Sequence, residues 1–217
     1  MSAPITIEAP ASRPAALWAD LKDLAGSDAR LYAFAKRAAW MLVPLTLAIV
    51  AVVFGTGPEP RRNWYGDMLG NDFSQIWVAG RAALEGRGGE PYDLAVHLAN
   101  LKAAFGPECR FAWHYPPVFL MPAAAFASVE PQPAFWLWTL LSLAAFAGAM
   151  RFAAGRGDAA WIALAHPLVF CNLTYGQNGL FTAALMTFGA LLVDRRPWGA
   201  GRCVGRRANK PHLAAQA

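Results

Sequence analysis

Charged residues are scarce in this chain of 217 residues: only 15% are Asp, Glu, Lys or Arg, whereas 56% are hydrophobic. The mean hydropathy is +0.29, and uncharged apolar runs long enough to cross a bilayer recur along the chain. The composition therefore argues against a soluble globular protein and predicts an integral membrane protein. No basic stripe with interleaved aromatic residues predicts a nucleic-acid partner, so the net charge of +5 is expected to reflect cytoplasmic loops and contact with anionic membrane lipids.

Metal-binding and disulfide patterns are also lacking. Cys109, Cys171 and Cys203 form no C-x-x-C pair, and the four histidines show no H-E-x-x-H spacing. We therefore expect neither a disulfide framework nor a metal site, and no cofactor. There is also no Gly-rich nucleotide loop and no D-x-D carboxylate pair for a metal-held nucleotide sugar.

The distribution of charge and apolar runs divides the chain into three parts. We interpret residues 1–35 as a cytoplasmic N-terminal segment, residues 36–201 as a membrane domain and residues 202–217 as a basic C-terminal tail. Within the membrane domain, the predicted spans lie near residues 38–56, 131–150, 159–175 and 179–193, and residues 57–115 form an extracytoplasmic loop.

Basic residues set the predicted orientation. More of them precede the first predicted span than follow it: Lys22, Arg30, Lys36 and Arg37, against Arg61 and Arg62. The positive-inside rule therefore predicts a cytoplasmic N-terminus in a multi-pass membrane protein. We expect that membrane to be the inner (plasma) membrane.

Residues 116–129 leave two topologies open. They are short and contain Pro122, so they form either a short full span or a re-entrant hairpin. If they span, the basic turns at 151–156 and 195–196 fall outside the cell. If they are re-entrant, both turns fall inside, and the polar stretch 176–179 lies on the same side as the loop 57–115.

The most informative stretch of that loop is the helix predicted around Asp72. Its apolar residues recur at helical spacing: Phe73, Ile76, Trp77, Gly80 and Leu84. Asp72 precedes them, with Gln75 three residues later, a capping-box pattern. Asp72 is therefore either an N-cap alone or a catalytic base held at the membrane surface.

A second amphipathic helix is predicted after Asp93, which is interpreted as its N-cap, and it ends at Gly106 and Pro107. His97 lies on its apolar face, where we interpret it as an interface residue rather than a ligand. Two such helices lying flat would cover a cavity at the outer leaflet. Cys109 follows in the same loop, where an impermeant thiol reagent is expected to reach it.

Several ordered stretches resemble glycosyltransferase family 87, the polyprenol-phosphate-mannose-dependent mannosyltransferase-like enzymes. The resemblance extends from about residue 35 to residue 201. Its residues are Asp72-Phe73 with Trp77 and Ala79-Gly80-Arg81; Pro91-Tyr92-Asp93; Tyr115-Pro116-Pro117; Pro167 with Asn172; Gly176-Gln177-Asn178-Gly179; and Ala200-Gly201 before Lys210-Pro211-His212.

The resemblance implies an all-α, polytopic GT-C fold with amphipathic surface helices in its first extracytoplasmic loop. It also implies transfer of a hexose, with mannose expected, from a polyprenyl-phosphate sugar to a glycan or lipid acceptor. By the same resemblance Asp72 is the catalytic base. The implied substrate-binding residues are Arg81, Tyr115, Gln177, Asn178 and Lys210.

The chain departs from the family pattern after Gly201, where a charged segment stands in place of an apolar helix. A C-terminally truncated chain is therefore expected. The alternative to an enzyme is a truncated, non-enzymatic membrane protein that retains only the front of the fold.

Overall fold

The computed structural model describes residues 28–57 and 62–193, which are helical apart from loops and one isolated β-bridge between Arg62 and Met68. The all-α prediction is confirmed for this part of the chain. Its eight α-helices are α1 (Asp28–Gly55), α2 (Asn71–Leu84), α3 (Leu94–Phe105), α4 (Leu120–Ala127), α5 (Pro131–Ala154), α6 (Ala159–Leu164), α7 (Pro167–Tyr175) and α8 (Gly179–Leu192). Two 3-10 turns cover Glu90–Tyr92 and Pro117–Phe119.

Two helices of the described residues, α1 and α5, are long and apolar enough to cross a membrane. At a rise of 1.5 Å per residue they extend over about 42 and about 36 Å, more than the ~30 Å of bilayer hydrocarbon. Helix α1 begins ten residues before the predicted span 38–56, because the intervening residues include Ala, Leu, Arg and Lys, which favour helix. Few of its side chains are buried by the rest of the protein.

The segment predicted as a short span near 159–175 is divided between two helices. Helix α6 ends at Leu164 and α7 begins at Pro167, with His166 between them in extended backbone at ψ 133°. Proline lacks a backbone N–H and disfavours helical geometry in the residue before it, so the helix stops there. The next predicted span, 179–193, corresponds to α8.

Residues 116–129 contain the short helix α4, which is about 12 Å long and far shorter than the bilayer hydrocarbon. Helix α4 packs closely on α2 through small residues. A methyl group at Gly80 would lie 2.2 Å from the carbonyl oxygen of Ala123 and 2.8 Å from the Cβ of Ala127. The two backbones therefore approach as closely as they do because position 80 has no side chain.

Helix α2 is a core helix, so the prediction of a surface helix that buries one apolar face is wrong. Phe73, Ile76 and Gly80 are buried as their spacing predicts, but Ser74 and Gln75 are buried as well. The reason is that α2 packs against α3, α4, α5 and α7 rather than against one surface. Its aromatic surroundings include the buried rings of Trp113, Tyr115, Phe119, Phe135 and Trp138.

Contacts between distant segments define one end of the molecule. The turn after α5 contacts the first third of α1: Lys36 Nζ lies 2.9 Å from Asp158 Oδ2, and the Tyr32 hydroxyl donates to Asp158 Oδ1. The Arg156 guanidinium lies 3.8 Å from the centroid of the Tyr32 ring. The start of α1 and the turn after α5 therefore lie on the same side of the protein.

The start of α2 contacts the turn between α7 and α8, and both lie beside the N-terminal turns of α5. The Gly70 amide donates to the Thr174 carbonyl at 2.7 Å, and Gly70 and Gly176 both contact the ring of Phe135. Phe135 lies in the first turns of α5, whereas Arg156 follows its last turn. The contacts around Phe135 are therefore separated from those around Arg156 by most of the length of α5.

Candidate functional site

Helix α2 begins one residue before Asp72, at Asn71, and Gly70 occupies its N-cap. Gly70 has a φ of 80°, and a Cβ there would lie 2.6 Å from the Phe135 ring, so glycine is required on both counts. The predicted capping box is therefore wrong, since the left-handed glycine starts the helix. Asp72 lies in the first turn, half-buried, where a carboxylate is stabilised by the helix dipole.

Tyr115 lies within range of the electrostatic field of the Asp72 carboxylate. Its ring is buried and stacks on Phe119 and on His114, with centroids 4.5 Å apart in each pair. Burial, with a smaller contribution from the Asp72 charge, raises the pKa of Tyr115 to about 12. The hydroxyl is therefore neutral at physiological pH and keeps its proton as a donor.

The turn between α7 and α8 lies against the first turns of α2. A methyl group at Gly176 would come within 2.7 Å of the Phe73 Cβ, next to Asp72 in sequence. Trp138 Nε1 fixes this turn by donating to the Gly176 carbonyl at 2.9 Å. The structure therefore brings Asp72, Tyr115 and the Gly176–Asn178 turn to one end of the protein.

Gln177 and Asn178 differ in their surroundings. The Gln177 side chain is exposed, whereas Asn178 is buried, and its Nδ2 has no hydrogen-bond partner among the described residues. Asn178 is also the residue before α8 and makes no side-chain cap. A buried amide donor without an acceptor is costly, so this position suits a ligand oxygen or an ordered water.

One of the predicted site residues, Arg81, does not lie with Asp72, Tyr115 and Asn178. Arg81 lies nine residues after Asp72, about 13.5 Å along α2 and half a turn around it. Its guanidinium contacts Glu85 at 3.2 Å and lies 5.7 Å from the Trp77 ring centroid. It lines a separate cleft of about 340 Å³ between α2 and α3. Lys210 is outside the described residues.

The structure corrects the interpretation of His97. Its side chain is 1% exposed and packs beside the Trp113 ring, with centroids 6.4 Å apart. Burial lowers the pKa of this imidazole. The sequence pattern gave no means of distinguishing a buried histidine from one at the bilayer interface, because both lie on the apolar face of a helix.

Cys109 is also buried, with no exposed surface, so the expectation that an impermeant reagent reaches it is wrong. Its Sγ lies 3.7 Å from Asn71 Oδ1, and burial, reinforced by the Glu108 charge, raises the pKa of the thiol. It shares a small apolar cluster with Met68, Val78 and Leu101. Asp93, in contrast, is the N-cap of α3 as predicted, because its Oδ1 accepts from the amides of Ala95 and Val96.

Over the described residues, these features define a helical protein with two membrane-length apolar helices and with a carboxylate, a phenol and amides gathered at one end. The predicted family resemblance is confirmed for part of the chain: residues 113–216 match the model of Glycosyltransferase family 87. That family implies a membrane GT-C fold and glycosyltransferase activity. Tyr115, Gln177, Asn178 and Lys210 lie within the matched residues, whereas Asp72 and Arg81 precede them. No curated protein and no solved structure matches the chain.

Proposed function

We propose that this protein is a membrane glycosyltransferase that transfers a hexose, with mannose expected, from a polyprenyl-phosphate sugar to a glycan or lipid acceptor. The observation that carries the proposal is that Phe73, the residue after Asp72, lies against Gly176 in the turn that contains Asn178, while the charge of Asp72 acts on Tyr115. A carboxylate, a neutral hydroxyl and an amide donor without a partner are the groups that such a transfer needs.

In the proposed reaction, the acceptor hydroxyl attacks the anomeric carbon of the donor sugar. The bond from that carbon to the phosphate oxygen breaks, and polyprenyl phosphate leaves with the electron pair. Asp72 takes the proton of the attacking hydroxyl as general base. Tyr115 and Asn178 donate hydrogen bonds to sugar or phosphate oxygens, and the exposed Gln177 side chain supplies a further hydrogen bond at the edge of the site. Because the leaving group is already a phosphate, no metal is invoked.

We infer that the Asp72 end faces the extracytoplasmic side, in a protein of the inner membrane with its N-terminus in the cytoplasm. The contact of Lys36 with Asp158 puts the turn after α5 beside the start of α1. This agrees with the re-entrant alternative for residues 116–129, in which the basic residues Arg151 and Arg156 are cytoplasmic. The short α4 also favours that alternative.

Asp72→Asn tests the proposal. Asparagine is nearly isosteric with aspartate, but its amide cannot accept the proton. Transfer from a radiolabelled polyprenyl-phosphate mannose in membranes is expected to fall by about 10²–10⁴, the usual loss for a general base.

Asp93→Asn is the matched control, since Asp93 caps α3 and an asparagine caps equally well. It should retain parental transfer. Near-parental transfer by Asp72→Asn would contradict the role of Asp72. A parent protein without any transfer would contradict the enzyme itself and favour the non-enzymatic alternative.

A further inference from the structure

The end of the protein away from Asp72 carries a cluster of charged and aromatic side chains that the proposed reaction does not use. The cluster joins α1 to the turn after α5 and consists of Tyr32, Lys36, Arg156 and Asp158. Lys36 is followed within two residues by the uncharged run 38–56. The cluster therefore lies where α1 enters the bilayer hydrocarbon, at the depth of the lipid headgroups.

The contacts of the cluster fix the orientation of the Arg156 guanidinium. Its Cζ lies 3.8 Å from the centroid of the Tyr32 ring, so the ring covers one flat face of the guanidinium. The Tyr32 hydroxyl donates to Asp158 Oδ1, and Arg156 Nε lies 3.7 Å from the same oxygen. The Arg156 side chain is nevertheless 58% exposed. Because Nε faces Asp158, the two Nη groups on the outer edge can form a bidentate pair with a phosphate.

The charges of the cluster favour an anionic ligand. Hydrogen bonds from Tyr32 and Lys36 lower the pKa of Asp158 to about 2, so this carboxylate is ionised at physiological pH. Lys36 Nζ lies 2.9 Å from Asp158 Oδ2 and balances its charge. Arg156 then leaves the cluster with one net positive charge, and the exposed Arg37 beside Lys36 adds another.

An exposed aromatic surface continues the cluster toward the hydrocarbon. Tyr32, Lys36 and Trp40 follow one another at intervals of four residues, so they share one face of α1. The Trp40 ring packs on that of Trp161, with centroids 4.9 Å apart, yet Trp40 is 63% exposed. Tryptophan rings at this depth contact both headgroups and acyl chains. The surface therefore suits a ligand that joins a phosphate to an apolar chain, which a free phosphate ion does not.

We propose that this cluster is a binding site for the phosphate group of an anionic membrane lipid. The Nη groups of Arg156 donate to two phosphate oxygens, and Trp40 contacts the glycerol and the first methylenes of the acyl chains. A zwitterionic lipid fits less well, because its own cation would lie beside Lys36 and Arg156. The site goes beyond the proposed transfer reaction and does not depend on it.

The test is a lipid titration of the full chain in neutral detergent, with bound lipids counted by native mass spectrometry. Dioleoyl phosphatidylglycerol is expected to bind more tightly than dioleoyl phosphatidylcholine, which has the same acyl chains. Arg156→Gln should weaken phosphatidylglycerol binding by about fivefold, the usual contribution of one cation near an anionic lipid surface. Arg156→Lys keeps the charge but loses the planar fork, so its affinity should fall between those of the parent and Arg156→Gln.

Arg110→Gln is the matched control, because it removes the same charge from another exposed arginine. Arg110 follows Cys109, whose Sγ lies 3.7 Å from Asn71 Oδ1 at the opposite end of the protein. This variant should bind phosphatidylglycerol as the parent does. An equal loss in Arg110→Gln and Arg156→Gln would show that net charge alone attracts the lipid and would overturn the site.

The proposal is also overturned by equal affinity for the two lipids or by parental affinity in Arg156→Gln. Parental affinity in Arg156→Lys would contradict the bidentate contact. Inorganic phosphate at the concentration of the lipid should leave phosphatidylglycerol bound, and displacement would assign the cluster to free phosphate instead. Because the titration contains no sugar donor, its outcome is independent of transfer.

Discussion

Among single residues, Tyr115 links the packing of the protein to its proposed chemistry. Its ring belongs to the aromatic core, so its position is set by stacking on Phe119 and by the tilted contact with Trp113 rather than by a ligand. Its hydroxyl lies near the Asp72 charge, and its pKa is raised to about 12. The same burial that fixes the ring therefore keeps the hydroxyl protonated as a donor.

Tyr115→Phe removes the hydroxyl and preserves the ring stack. We expect transfer to fall by about 10–100-fold, the loss typical of a hydrogen bond to a charged group, with little change in the thermal midpoint. Radiolabel transfer and differential scanning fluorimetry on the same preparation check both parts. A large drop in the midpoint with proportionate loss of activity would mean that the hydroxyl acts in folding instead.

His97 gives a pH-dependent prediction. Its folded-state pKa is depressed by burial, so its contribution to stability is fully present above the unfolded value of about 6.5 and is lost as the pH falls through the folded value. The parent is expected to lose up to about 1.4 kcal/mol of unfolding free energy per pH unit in that window.

His97→Leu should flatten this dependence, because leucine cannot bind a proton and leaves no ring nitrogen unpartnered; Nε2 of His97 has no partner among the described residues. Thermal midpoints at pH 7.5 and pH 5 provide the measurement. His114→Leu, at an exposed position, is the control and should keep the parental slope. If the thermal midpoint of His97→Leu changes with pH as much as that of the parent, the pH dependence belongs to other groups.

Residue spacing predicted part of this site and missed part of it. The apolar face of α2 and the Asp93 cap follow from local periodicity and capping rules, which act within a few residues. The actual start of α2 depends on Gly70 contacting Phe135, 65 positions later in the sequence. Such contacts between distant residues also bury His97, and no local pattern encodes them.

The pairing of α2 with α4 holds in place the helix that carries Asp72. Gly80 allows the backbones to approach, and Trp77 Nε1 donates to the Val129 carbonyl at 2.9 Å just after α4. The sequence left residues 116–129 open between a span and a hairpin. Their length and their packing on α2 became evident only from the fold, because an apolar helix is equally compatible with lipid and with a protein core.

Gly80→Ala tests this crossing, with Gly148→Ala as its control. A Cβ at Gly80 would lie 2.2 Å from a backbone oxygen, whereas a Cβ at Gly148 meets nothing within 4 Å. We expect Gly80→Ala to cost about 1–3 kcal/mol through overpacking, and Gly148→Ala to be neutral or slightly stabilising. Equal thermal midpoints for the two variants in detergent would mean that α2 and α4 do not meet in this way.

For the whole molecule, the contacts at the two ends of α5 indicate in which direction each long helix runs. Helix α1 leads away from the end that holds Lys36 and Asp158. Helix α5 returns to that end from the Asp72 side, and α6 with α7 lead back to the turn at Gly176. In this arrangement the basic residues around Arg151 and Arg156 share a side with the start of α1, which agrees with the positive-inside rule.

The last prediction tests that arrangement with two single cysteines in a background where Cys109, Cys171 and Cys203 are alanine. Tyr65 is 91% exposed in the loop before α2, and Gly157 lies in the exposed turn after α5 with nothing within 4 Å of an added Cβ. Tyr65→Cys should react with an impermeant maleimide in intact spheroplasts. Gly157→Cys should react only after permeabilisation, because α5 separates the two positions. If both cysteines react in intact spheroplasts, residues 116–129 form a full span and the re-entrant arrangement is wrong; if only Gly157→Cys reacts, the whole orientation is inverted.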